Sequence, residues 1–110
     1  MPPEPRLPAA VAVAALVRQV HAAGGFATLL ARGGPYGSSF IIVHRDGEHV
    51  VAYEKMPTPD GAVHWRAAAD DTESVSRYIE RQRRFDPDLW VVELDIVDPA
   101  RFVPGLMTVS

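Results

Sequence analysis

The segment RRFDPDLWVVELD, Arg83 to Asp95, constrains the fold more than any other stretch of the chain. An arginine-rich helix end runs into Asp86-Pro87-Asp88, where the residue before proline avoids the helical region and proline presets a turn. The helix must therefore stop near Phe85. The chain then returns as a strand, DLWVVELDIV, whose alternation sets Trp90, Val92, Leu94 and Ile96 on one face and Leu89, Val91, Glu93 and Asp95 on the other. The first set is expected to be core. The segment holds no nucleophile with its base, no set of metal ligands and no phosphate loop, so it speaks for architecture before function.

Helix two is expected to begin at Asp70 or Asp71, where Asp70 with Glu73 resembles a capping box. Val75, Tyr78, Ile79 and Phe85 form its apolar face, while Glu73, Arg77, Glu80, Arg81 and Arg84 form a charged stripe opposite. Ahead of it the apolar period is 2, and FATLLAR, SSFIIVHR, EHVVAYEK and AVHWRAA read as four strands. Asp46-Gly47 predicts a type I′ hairpin turn, which would set Arg45 opposite Glu48, His44 opposite His49, Ile42 opposite Val51 and Phe40 opposite Tyr53. Ile41, Val43, Val50 and Ala52 fill the other face, so this hairpin should lie centrally. Val13, Leu16, Val17 and Val20 mark an amphipathic first helix from about Pro8 to Ala23, stopped by Gly24-Gly25. Residues 1–8, with four prolines, read as a flexible arm, residues 9–99 as a single domain and residues 100–110 as a tail that either frays or adds a short edge strand from Leu106.

RRFDPDLWVVELD together with HAAGGFATLLARGG, His21 to Gly34, resembles the small bacterial family called domain of unknown function 1491. Its members show a similar helix, a Gly-Gly-Phe-Ala step and an Arg-Phe-Asp-Pro-Asp-Leu-Trp joint. The resemblance spans most of the chain and is loosest between Pro35 and Asp71. It implies a fold and no recognised catalytic residue, and no site is carried over from it.

A chain of 110 residues can bury roughly two-thirds of its unfolded surface and stand without staples. It has no cysteine, which excludes thiol catalysis, thiolate zinc sites and disulfides. A formal charge of -3 speaks against nucleic acid, whose binders usually carry a basic surplus. Arg6 followed by LPAAVAVAALV has the outline of a secretory leader, but Arg18 and Gln19 interrupt the apolar run well before bilayer-spanning length. A soluble, cytoplasmic protein with no membrane association is the expectation.

Five residues stand out as candidates for binding: Arg77, Arg81 and Arg84 on the helix stripe, and Asp86 and Asp88 at the joint. Guanidinium groups can grip phosphate or carboxylate, but Glu73 and Glu80 are spaced to pair with them on a solvated face. The two aspartates could serve acid–base chemistry or a hard cation, but a turn that needs its backbone donors satisfied explains them equally. His44 and His49 could share a metal across the hairpin, but lack a third ligand unless His64 joins them from the next strand. His21, in the last turn of helix one, suits the negative end of the helix dipole. GGPYGSS lacks the lysine and following helix of a phosphate loop, and reads as a flexible hairpin connection with Tyr36 at a tip suited to partner contact. No metal and no cofactor are expected.

These readings combine into an α+β fold of two layers: a mainly antiparallel five-stranded sheet carrying two helices, in the order α-β-β-β-β-α-β. The most economical strand order is 5-1-2-3-4, the alternative being a parallel crossover that joins the last strand to the fourth. For function, the preferred reading is a non-enzymatic interaction or assembly module that binds a protein partner or its own copies. The alternative is an enzyme for small molecules or anions, built on Asp86, Asp88 and the neighbouring arginines.

Overall fold

The two helical stripes and five alternating stretches form the expected elements in the expected order, within residues 8–106, which the computed structural model describes. They are α1 (Ala9–Ala22), β1 (Phe26–Ala31), β2 (Phe40–Asp46), β3 (His49–Pro57), β4 (Val63–Ala69), α2 (Thr72–Phe85) and β5 (Trp90–Asp95), followed by a short 3-10 turn at Pro99–Arg101. The arm before Pro8 and the tail beyond Leu106 lie outside the described residues.

Local chemistry accounts for the ends of the helices. Gly24 takes φ 89°, a left-handed conformation that costs a glycine little, and the Gly25 N–H returns to the Val20 carbonyl at 3.0 Å. At the start of α2 the cap is Asp71, not the expected Asp70–Glu73 box: its carboxylate accepts the Ser74 N–H at 2.8 Å. Those bonds from Ser74 hold the Asp71 carboxyl below its ordinary range.

The sheet runs β1-β5-β2-β3-β4. As expected, β5 lies antiparallel to β1, pairing Phe26 with Asp95 and Leu29 with Val92. It does not sit outside β1, as the order 5-1-2-3-4 would require. It enters between β1 and β2 and runs parallel to β2, with Ile41 beside Val91 and Ile42 beside Val92. Burial explains the placement. Val91, Val92 and Leu94 are each 0% exposed, and only an inner strand removes so apolar a segment from water on both faces. β1, with Thr28 and three solvent-facing apolar residues, occupies the edge instead.

The helices pack on opposite faces, so the sheet is the middle of three layers and not one of two. α1 presses Ala9, Val13, Leu16 and Val20 against the face of Ile42, Tyr53, Val92 and Leu94. α2 presses Val75 and Tyr78 against Ile41, Val43, Ala52 and Val91. The alternation read in β5 is correct, but Leu89 and Val91, assigned away from the core, are buried in this second cluster. On the first face Val103 and Leu106 also close over the sheet, and the Trp65 N–H donates to the Gly105 carbonyl at 2.9 Å. Among the described residues no helix is long and apolar enough to cross a membrane.

The central hairpin forms in a different register. Asp46 pairs with His49, His44 with Val51 and Ile42 with Tyr53, so Gly47 and Glu48 make the turn. Gly47 alone takes positive φ, 63°, which suits a type II′ turn where type I′ would demand it of two residues. Arg45 therefore faces Val50 rather than Glu48, and the expected His44–His49 pair does not form.

Candidate functional site

The joint between α2 and β5 is built by backbone demands. Asp86, ahead of Pro87, leaves the helix at φ -134° and ψ 90°, and its N–H still reaches the Gln82 carbonyl at 2.9 Å. Its Oδ1 accepts the Asp88 N–H at 3.1 Å, and its carbonyl accepts the Leu89 N–H at 3.1 Å. Asp86 therefore organises the turn with side chain and backbone together.

The glycine-rich segment Gly33–Ser39, read as a separate hairpin connection, is the other half of this joint. It cannot be a hairpin, because β1 and β2 are not neighbours and the loop has to step over the start of β5. The Gly34 N–H donates to the Asp88 carbonyl at 3.1 Å, the Trp90 indole N–H donates to the Gly34 carbonyl at 2.9 Å, and the Trp90 N–H donates to the Ser39 carbonyl at 3.3 Å. A Cβ on Gly33 or Gly37 would run into the Asp88 carbonyl, and one on Gly34 into the Asp88 carboxylate. Close approach of backbone requires Gly33 and Gly37, while at Gly34 the Asp88 carboxylate would have to move aside. The Gly37 carbonyl in turn accepts the Ala9 N–H at 2.8 Å, satisfying a free donor at the start of α1.

Two aromatic side chains stand out from this clamp. Tyr36 at the loop tip is 95% exposed, and Phe85 in the last turn of α2 is 81% exposed. Phe85 was expected in the apolar face of helix two. It lies instead in the last turn, where the chain is already leaving for the joint, while Val75 and Tyr78 make the buried contacts. A shallow depression on another side of the helix is lined by Ser76, Ile79, Glu80, Arg83, Arg84 and Pro87.

The candidate residues fall into two groups. Arg77 and Arg84 pair along the helix with Glu73 at 3.8 Å and Glu80 at 2.9 Å. Such exposed pairs contribute about 0.3–0.5 kcal/mol each. Arg81 and Arg83 make no ion pair among the described residues. The joint brings Asp86 and Asp88 together within the turn and places Arg83 and Arg84 beside them, whereas Arg77 lies two turns back along the helix. His44 Nε2 sits 2.9 Å from the Ile96 carbonyl, away from His49. The sequence missed that the glycine loop and the Asp-Pro-Asp turn are a single structure. The sequence offered only three glycines within five residues ahead of a strand, which does not say what comes close to them; the structure shows that none of the three takes positive φ.

A family described as protein of unknown function (DUF1491) matches the chain over residues 7–104. No curated protein matches. A crystal structure of a DUF1491 family protein from Caulobacter crescentus is similar at 27% identity and TM-score 0.77, covering 92% of this chain and 99% of that one. An NMR structure of a DUF1491 family protein from that organism gives 26% and 0.77, covering 94% and 99%. A solution structure of a protein from A. tumefaciens gives 28% and 0.76, covering 96% and 98%. Both organisms are bacteria.

Proposed function

The chain belongs to the DUF1491 family, and we propose that it works without catalysis, as an interaction module whose contact surface is the outer side of the α2–β5 joint. The observation that carries this reading is Phe85, 81% exposed in the last turn of α2, three residues before Asp88, where the hydrogen bonds and close glycine contacts of the clamp lie. A large apolar side chain left in water gains nothing for the monomer. It offers a partner apolar area to bury. Tyr36 adds a second exposed aromatic, a residue type enriched at interface centres, and Arg83, without an ion pair among the described residues, supplies a guanidinium on another flank of the same helix end. The partner this surface fits is a protein with an apolar pocket rimmed by acidic groups.

The bonds of Asp86 and Asp88 within the turn support a structural role for both and weigh against an enzyme built on them. The net charge of -3 weighs against nucleic acid as the occupant. A cytoplasmic location is part of this reading; the apolar residues of α1 serve the fold, filling one face of the sheet.

Affinity capture from the native host with wild-type and Phe85→Ser baits tests the reading. The variant is expected to melt at the wild-type temperature and to lose a protein that the wild type retains. Capture of the same proteins at the same affinity by both baits, or recovery of nucleic acid that depends on Phe85, would overturn it.

A further inference from the structure

β1 is an outer strand of the sheet and, among the described strands, pairs with β5 alone. A side chain from the same protomer occupies part of its open edge. The Ala27 N–H donates to His21 Nε2 at 3.2 Å, and the same nitrogen lies 3.3 Å from the Ala27 carbonyl. Both backbone groups of Ala27 therefore point away from β5. Alternation along an antiparallel strand turns those of Leu29 the same way, since the pairing with β5 stays regular from Phe26 to Leu29.

We propose that this edge takes a second copy of the chain, β1 against β1 in antiparallel register about a two-fold axis at Thr28, and that His21 holds its place in the monomer. In this register Ala27 of each copy faces Leu29 of the other, and their outward N–H and C=O groups exchange as four hydrogen bonds. Thr28 meets Thr28, a favourable cross-strand pair. Phe26, 71% exposed, comes near Leu30, 45% exposed, in the bulge that closes each end of the contact. The strand from Phe26 to Ala31 carries no charge that would repel its own copy.

Charge beyond the strand fits the same arrangement. Arg32, just past the bulge, falls toward the carboxy-terminal and hence negative end of the other copy's α1, near a groove lined by Gly24, Asp95 and Asp98. The cation already in that groove, Arg101, lies over the Phe102 ring at 5.4 Å. The register also closes on itself. A bulge between Leu29 and Ala31 ends the regular edge, which keeps the contact short and discourages open-ended strand addition.

Sedimentation velocity over a concentration series, with hydrogen exchange read at single amides, tests the proposal. His21→Ala removes the competitor in each copy and is expected to tighten dimerisation roughly tenfold. Thr28→Lys sets two ammonium groups face to face at an exposed position and is expected to give a monomer with an unchanged melting temperature. In the dimer the Ala27 and Leu29 amides should gain protection. A His21→Ala protein that stays monomeric throughout the series would sink the idea, as would a Thr28→Lys protein that dimerises like the wild type. The proposal is independent of the joint surface, and Phe85→Ser should dimerise as the wild type does.

Discussion

Trp90 ties the core to the glycine clamp, being 8% exposed while its indole N–H donates to the Gly34 carbonyl at 2.9 Å. Removing it empties part of one core and releases the loop. Trp90→Ala is expected to cost about 3–5 kcal/mol in urea unfolding, against less than about 0.5 kcal/mol for the exposed Arg81→Ala. Equal midpoints for the two variants would contradict this assignment. The burial of Trp90 was legible, because a period of 2 fixes which side chains share a face. The roles of Gly33, Gly34 and Gly37 were not, because a missing side chain leaves no trace of what comes close to it. Phe85 shows the opposite limit. The helical period sets it within roughly 20° of Tyr78, which is correct, but an angle does not say whether anything lies beneath the last turn.

At the scale of elements, the hairpin shows what a hydrophobic pattern can and cannot decide. Moving the turn from Asp46-Gly47 to Gly47-Glu48 shifts each partner by two residues, from His49 to Val51 opposite His44. A shift of two leaves every side chain on its original face, so alternation cannot tell the registers apart and turn chemistry decides. The attachment of α2 to the sheet depends on polar groups that periodicity also passes over. The Tyr78 hydroxyl donates to Glu54 Oε2 at 2.8 Å, and Arg66 Nη2 donates to Glu54 Oε1 at 2.8 Å. Arg66 holds the Glu54 carboxyl below its usual value, while burial and then Glu54 push the Tyr78 hydroxyl above its ordinary 10.0. The Glu54 contribution is present above its unfolded pKa and is lost as pH falls through the lowered folded value. That of Tyr78 is complete below 10.0 and is lost as pH rises toward the raised folded value. Tyr78→Phe should therefore flatten the alkaline fall in melting temperature and leave an acid limb. An unchanged alkaline limb in that variant would remove Tyr78 as its cause.

At the scale of the whole molecule, two cores on opposite faces share β5 and the central hairpin, and the chain beyond the last strand completes one of them. Val103 and Leu106, 5% and 9% exposed, cover that face beside Trp65. A chain ended after Asp98 should lose roughly 3–6 kcal/mol, the burial of two large apolar side chains, and expose Trp65 to fluorescence quenchers. Wild-type stability in the shortened protein would show that this segment adds nothing to the core. The sequence by itself determined the elements, their order and the ends of both helices, because these follow from periods and breakers within a few residues; the antiparallel partnership of β1 with β5 was the more economical of two orders. Only the tertiary structure decided that β5 enters between β1 and β2, that the helices take opposite faces, and that a glycine loop and an Asp-Pro-Asp turn some 50 residues apart close on each other. Those outcomes depend on which arrangement removes the most apolar surface from water on both sides of a strand at once, and that comparison exists only when all five strands are present together.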